Sequence, residues 1–287
     1  MAVEATDHRA ELSGLDALEV PEKGSPGKIA KLRRGVVPKA GAIAIALFVW
    51  QLVVWSHWKP SYLLPGPVPV FRALGTQLHQ GEFWKGLAIT MKRAVEGYGI
   101  AIVIGLLIGA AVSRFQLLRS AVGSLITGLQ TMPSIVWFPL AQLLFQLTDG
   151  AIVFVVVIGA APSVANAVIS GIDQIPPLLL RSGRMLGARG WKLYRHVILP
   201  AIQPNLVAGL KQGWAFAWRS LMAGELLVIV ANEPSLGSRL EFARQLSDPP
   251  NLIALMIVIL VIGILADSAL SAADRAVRRR WGLLLTA

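Results

Sequence analysis

Ile-Pro-Pro-Leu-Leu-Leu-Arg-Ser-Gly-Arg-Met-Leu-Gly-Ala-Arg-Gly-Trp-Lys-Leu-Tyr-Arg-His-Val-Ile-Leu-Pro-Ala-Ile-Gln-Pro-Asn-Leu spans residues 175–206, and hydrophobic runs long enough to cross a bilayer lie on both sides of it. The stretch carries five Lys or Arg, two short helical patterns, a glycine hinge at Gly187 and a stop at Leu199-Pro200. It is too polar to enter lipid and too patterned for a slack linker. A basic, folded, two-helix loop between membrane helices reads as a docking surface for a soluble partner. The competing reading is a solvated basic face with no partner.

The bulk composition supports a membrane setting. Of 287 residues, 55% are hydrophobic and only 15% charged, and the mean hydropathy is +0.62. Soluble domains carry about a quarter charged residues. The net charge of +11 comes from Lys and Arg clustered beside apolar runs, which fits a topology signal rather than a nucleic-acid surface. With no cysteine, disulfides, thiolate metal sites and thiol catalysis are excluded. His8, His57, His79 and His196 are scattered without ligand spacing, so no metal is expected. The first apolar run begins only near Ala40, behind a polar leader, and no signal peptide is evident.

Six spans follow from the hydropathy. Residues 1–39 read as a disordered cytoplasmic tail; Gly24-Ser-Pro-Gly-Lys28 within it lacks the glycine spacing and the Ser/Thr of a phosphate-binding loop. The membrane domain covers 40–282, and 283–287 is a short tail. Ala40 to Trp55 is a first span, tipped by Trp50, Trp55 and Trp58. Residues 59–92 are polar and amphipathic, with one surface helix expected over 71–87. The second span, 94–113, carries Gly105 and Gly109 as a small-residue face, whose simplest use is packing within the monomer. The third, 118–147, holds Gln130, Ser134, Gln142 and Gln146 among apolar residues, together with Pro133 and Pro139. Gln142 and Gln146 are one turn apart and share a face if the helix is continuous. Such groups serve either as interhelical hydrogen-bond glue or as the lining of a polar pathway.

Residues 151–170 form the fourth span, 205–230 the fifth and 252–270 the sixth. The fifth contains Trp214 and Trp218 on one face, which at that spacing is ordinarily packing, together with Arg219 and Glu225. A charge at mid-bilayer costs roughly 2.5–3.5 kcal/mol, so each of these two faces a cavity or a partner. Six residues apart, they lie about 240° around the helix and do not pair with each other. Seventeen Lys or Arg lie in residues 22–40, the 114–119 turn, the 172–204 loop and the C-terminus, against seven in the loops 57–93 and 231–251. The positive-inside rule then puts both termini and the 172–204 loop in the cytoplasm. The fold class expected is all-α and polytopic. No hydrolase, zinc-protease or nucleotide-fold signature appears, so the chain is not expected to be an enzyme.

Gly187-Ala188, followed after nine residues by Ile198-Leu199-Pro200, resembles the second half of the EAA loop of binding-protein-dependent ABC importer permeases. Leu64-Pro-Gly-Pro67, Met132-Pro133, Pro139-Leu140, Ala223-Gly-Glu225 and Ala266-Asp267 resemble segments of the branch that imports aliphatic sulfonates, taurine and nitrate. The family's Glu-Ala-Ala positions are Arg181, Ser182 and Gly183 in this sequence, so a glutamate contact with the ATPase does not carry over.

The resemblance implies a type I importer permease of the methionine-importer kind in a prokaryotic cell membrane. Its loop 172–204 would couple to the ATPase through Arg181, Ser182, Gly183, Gly187, Ala188, Leu199 and Pro200. It also implies two copies of a cytoplasmic ATPase that carries ATP and Mg, a second copy of this permease, and an extracytoplasmic solute-binding protein. No cofactor is implied on this chain. The pathway for a small anion would draw on Gln130, Ser134, Gln142, Gln146, Arg219 and Glu225, with Arg219 either accommodating the anion or pairing with Asp267 or Glu225. The competing mechanisms are an ion-coupled secondary transporter with Glu225 or Asp267 as its proton site, and a permease of the same family for another small solute.

Overall fold

The computed structural model describes residues 28–282, with side chains from Val37 onward. The expectations for residues 1–27 and 283–287 lie outside the described residues. The chain divides into two compact units, residues 1–61 and residues 62–287. In the first unit, helix α1 (Lys28–Trp55) runs through Pro38, and its stretch Val37–Trp55 is long and apolar enough to cross a membrane. This corrects the tail boundary: residues 28–39 are helical rather than disordered.

Every regular element in the described residues of the second unit is a helix. Its elements are α2 (Pro67–Leu78), α3 (Gly81–Arg114), α4 (Gln116–Thr131), a 3-10 turn (Ser134–Trp137) and α5 (Phe138–Phe145). There follow α6 (Asp149–Asp173), α7 (Pro177–Met185), α8 (Trp191–Leu193) with a π turn (Tyr194–Ile198), α9 (Leu199–Leu227), α10 (Leu236–Gln245) and α11 (Pro249–Arg280).

The core is the triad α3, α6 and α9, with α6 the most buried of the apolar helices. Much of its filling is small or β-branched, with Ala94 and Ala101 from α3, Ile152, Val155 and Val156 from α6 and Ala217 from α9, and Leu221 of α9 packs among them. Small residues matter because lipid tails give helices no hydrophobic reason to associate, so close backbone approach must supply the dispersion. A Cβ on Gly105 would lie 2.7 Å from the Ala161 carbonyl oxygen, and one on Gly209 would lie 1.9 Å from Ala167 Cβ. The small-residue face at Gly105 and Gly109 is therefore used within the chain, against α6.

Three expectations need correction. The surface helix expected over 71–87 breaks at His79-Gln80, so the second apolar span starts at Gly81 instead of 94. The third span is not straight: α4 and the segment Ser134–Phe145 meet at 103°. Proline explains the bend, because a residue preceding proline is driven out of the helical region and Met132 accordingly has φ −72 and ψ 129. The loop 231–250 is not irregular but contains α10, whose first turn is closed by a Ser235–Ser238 capping box. Among the described residues, four helices are long and apolar enough to cross a membrane, or five if the bent pair counts as one. The expected fifth span corresponds to α9, which carries Lys211, Arg219 and Glu225.

Candidate functional site

The loop between α6 and α9 folds into a hairpin of short helices. Pro177 opens α7, where a missing amide costs nothing. The helix ends in a Schellman motif: Ala188 N donates to Gly183 O at 3.0 Å and Gly187 N to Arg184 O at 3.1 Å. Gly187 sits at φ +85, which glycine alone adopts without a steric cost. Gly183 is buried, and a Cβ there would come within 2.9 Å of Val197, so α7 lies directly on the π turn. The π spacing shows in the bond from Leu199 N to Tyr194 O, just before Pro200, which has no amide to give.

The structure thus gathers Gly183, Gly187, Ala188, Leu199 and Pro200 into one hairpin, with Arg181 and Ser182 exposed on α7. The sequence reading missed the tip itself. Met185, Leu186 and Trp191 are 88%, 89% and 75% exposed, an apolar knuckle among basic residues. The signal was there in Met185-Leu186 directly before the turn glycine.

The polar residues of the bent span reach neighbouring helices. Ser220 Oγ donates to Ser134 Oγ at 2.7 Å, Asn166 Nδ2 to Gln130 Oε1 at 3.3 Å, and Gln142 Nε2 weakly to Leu227 O at 3.5 Å. Gln142 and Gln146 do not share a helical face, because α5 ends at Phe145 and Gln146 turns to φ 56. Gln146 is exposed.

Arg219 is exposed, about two turns before the end of α9, with its guanidinium carbon 5.8 Å from the Phe216 ring centre. Among the described residues no carboxylate pairs with it. Asp267 instead pairs with Lys211 at 3.4 Å. Arg219 borders a cleft of about 550 Å³ between α9 and α11. Trp214 and Trp218 stack at 6.0 Å on one wall, and Trp214 is fixed from behind by the edge of Tyr98 at 5.5 Å.

Glu225 does not line an open pathway, contrary to the sequence expectation: it has 0% exposure and every contact it makes is internal. It accepts from Thr90 Oγ1 at 2.9 Å, Gly237 N at 3.0 Å and Arg93 Nη1 at 3.2 Å. Arg93, 2% exposed, also binds Asp149 and Glu233, both partly exposed. This knot ties α3, α6, α9 and the segment before α10 together at the end of the bundle opposite the α7 hairpin. Glu225, spent on three donors, is not the open proton site that an ion-coupled mechanism needs, while Asp267 is exposed on α11 beside Lys211. Nearby on α10, hydrogen bonds from Arg244 and Gln245 hold the Glu241 carboxyl down at about 2.

Several known proteins are similar to this chain. One is an archaeal protein of Methanocaldococcus jannaschii named as an ABC transporter permease, 28% identical over 239 residues, which cover 82% of this chain and 88% of that protein. The bicarbonate transport system permease protein CmpB of Synechococcus elongatus is 27% identical over 268 residues, covering 88% and 94%. The taurine transport system permease protein TauC of Escherichia coli is 25% identical over 249 residues, covering 85% and 90%. An amino acid ABC transporter crystal structure shares the fold at TM-score 0.57 and 19% identity, over 72% of this chain and 97% of that one. Residues 101–280 match the binding-protein-dependent transport system inner membrane component family. The segment matched runs from the middle of α3 to the end of α11 and takes in the bent span, the hairpin and the α9–α11 cleft. The chain belongs to that family: it is the permease component of an ABC importer, with ATP hydrolysis on a separate subunit.

Proposed function

We propose that two copies of this chain form the membrane pathway for a small anion, which an extracytoplasmic binding protein delivers and ATP-driven motion of two cytoplasmic ATPase subunits moves inward. The observation that carries this reading is the hairpin tip. Met185, Leu186 and Trp191 stand out from a backbone whose own hydrogen bonds are closed, so they are available to a groove on another protein. Large exposed apolar groups of this kind mark an interaction site. ATP and Mg act on the partner, and the closing partner pulls the hairpin. Because α8, the π turn and α9 are continuous in sequence, the pull reaches the core triad. Alternating access is a rigid-body change of that kind.

The orientation follows from charge: the basic hairpin and both termini face the cytoplasm, and α10 faces the binding protein. Gln130, Ser134, Gln142 and Gln146 line the pathway around the bend, where polar groups are tolerated beside irregular backbone. Arg219 accommodates the anion. Two relatives are named for taurine and bicarbonate, each of which carries an oxyanion.

The test is copurification and uptake. The wild-type chain should bring down a stoichiometric ATPase. Arg219→Ala should lower anion uptake with assembly intact, and Arg219→Lys should restore part of it. Unchanged rate and selectivity in both variants would remove Arg219 from the pathway. Absence of any ATPase would overturn the coupling role of the hairpin.

A further inference from the structure

We propose that the groove between the hairpin ends of α3, α6 and α9 holds one anionic phospholipid, its phosphate on Arg195 and an acyl chain along the aliphatic walls. None of the residues assigned to the anion pathway lines this groove, so it is a second site and stands apart from that reading. Three observations carry it.

The first is the order of the lining. The groove has a volume of about 620 Å³. Leu106, Ala110 and Ser113 share one face of α3 and cover about 10 Å of its length. Ile202 and Leu206 face the groove from α9, which begins at this end of the bundle. Away from the hairpin the lining is wholly aliphatic, and at the hairpin it becomes Trp191, Tyr194 and Arg195. A lipid changes from tail to headgroup in the same sense, and aromatic side chains belong at that boundary.

The second is charge. No carboxylate lines the groove. Asp173, one residue beyond the lining residue Ile172, is paired with Arg119. Ser113 Oγ donates to Gly109 O at 2.7 Å, so its proton is spent inside α3. Arg195 is exposed, and among the described residues no carboxylate pairs with it, nor with Arg114 or Lys192 at the same end. A guanidinium presents a fork of donors that fits a phosphate, and basic pockets between membrane helices take lipid headgroups.

The third is that both ends must be met by one molecule. Ala110 and Leu199 are exposed, so the groove opens at the side of the bundle. A free phosphate would meet Arg195 and leave the aliphatic walls bare, whereas a diacyl anion covers both. Phosphatidylcholine would bring its own cation to an end that is already basic. Seated on Arg195, the anionic lipid ties the hairpin to α3 and α6.

The test titrates the full chain, in neutral detergent, with dioleoylphosphatidylglycerol, dioleoylphosphatidylcholine and glycerol 3-phosphate. Native mass spectrometry counts the molecules bound per chain. One phosphatidylglycerol should be retained, about fivefold or more tighter than phosphatidylcholine, from one cation meeting an anionic headgroup. Arg195→Ala should remove that preference, and Arg195→Lys should keep part of it. Ala110→Phe should expel the lipid by filling the tail slot, and Arg72→Ala, on α2 away from the groove, should change nothing. Phosphatidylglycerol should raise the melting point of the parent chain but not of Arg195→Ala, and a cooperative melt in each variant separates loss of lipid from loss of fold.

Equal retention of the two lipids, an unchanged Arg195→Ala, an unchanged Ala110→Phe, or an equal loss with Arg72→Ala would each overturn the proposal. Glycerol 3-phosphate binding as tightly as the lipid would overturn it too and give Arg195 to a free phosphate. Dimers that take up no lipid would replace the lipid by a second copy on this face. Each of these outcomes leaves the permease reading standing, because ATPase copurification and uptake decide that separately.

Discussion

Glu225→Gln is the sharpest probe of what holds the far end of the bundle together. The carboxylate has no exposed surface and accepts from Thr90, Gly237 N and Arg93. The amide is nearly isosteric, so packing is preserved and only charge and hydrogen-bond polarity change. Losing the charge-assisted bond to Arg93 costs about 1.5–3 kcal/mol. The new NH2 group also faces a ring of donors, and one unmatched buried donor adds about 1–3 kcal/mol. Arg93 keeps Asp149 and Glu233, so the total belongs near the low end, about 3 kcal/mol.

At about 2–4 °C per kcal/mol for a chain of this size, detergent-solubilised protein should melt roughly 6–12 °C lower by tryptophan fluorescence. Arg93→Gln should cost more, because it strands three carboxylates on one another. The double variant should be less destabilised than the sum of the singles, as expected for partners in one network. A melting point within about 2 °C of the parent for Glu225→Gln, or strict additivity, would refute the idea that the knot holds the bundle.

Three further outcomes are expected. Gly209→Ala puts a methyl 1.9 Å from Ala167 Cβ, and prying α9 from α6 should cost about 1–3 kcal/mol, seen as a lower melting point. Gly187 at φ +85 makes Gly187→Ala cost about 1–2 kcal/mol locally and Gly187→Pro impossible without unmaking the turn. ATPase copurification should therefore fall with the first and vanish with the second. Glu241 is held at about 2, below its ordinary 4.5, so its contribution to α10 is complete above about 4.5 and disappears as pH falls through about 2. Carboxyl carbon shifts should report an ionised Glu241 at pH 3.5, and Arg244→Gln should bring its titration back up.

The spans were readable because hydropathy is a local property: the apolar runs fell on α1, α3, α6 and α11, and the basic loop between α6 and α9 showed its hinge glycine and its closing proline. Pro133 carried the bend in plain view, since proline constrains its predecessor through sterics alone. What could not be read was set by pairing at a distance. Arg93 and Glu225 stand 132 positions apart, and nothing near Arg93 marks it as more than one basic residue among several before an apolar run. A mid-membrane glutamate demands a cation, yet the sequence offers several and ranks none. Gln146 fell on the expected span but off the helix, because α5 ends at Phe145 and Gln146 takes φ 56, an end that the apolar composition around it does not mark.

The turn at Gly187 has a consequence for speed. Its bonds satisfy the last carbonyls of α7 from within, so the tip meets a partner already in its final shape. Association then has only the side chains of Met185, Leu186 and Trp191 to immobilise, and no backbone to order. A contact that folds nothing on arrival unfolds nothing on departure. On the coupling proposed above, the hairpin is gripped and released once per cycle at the rate its partner sets, behaving as a ball joint rather than as a strap.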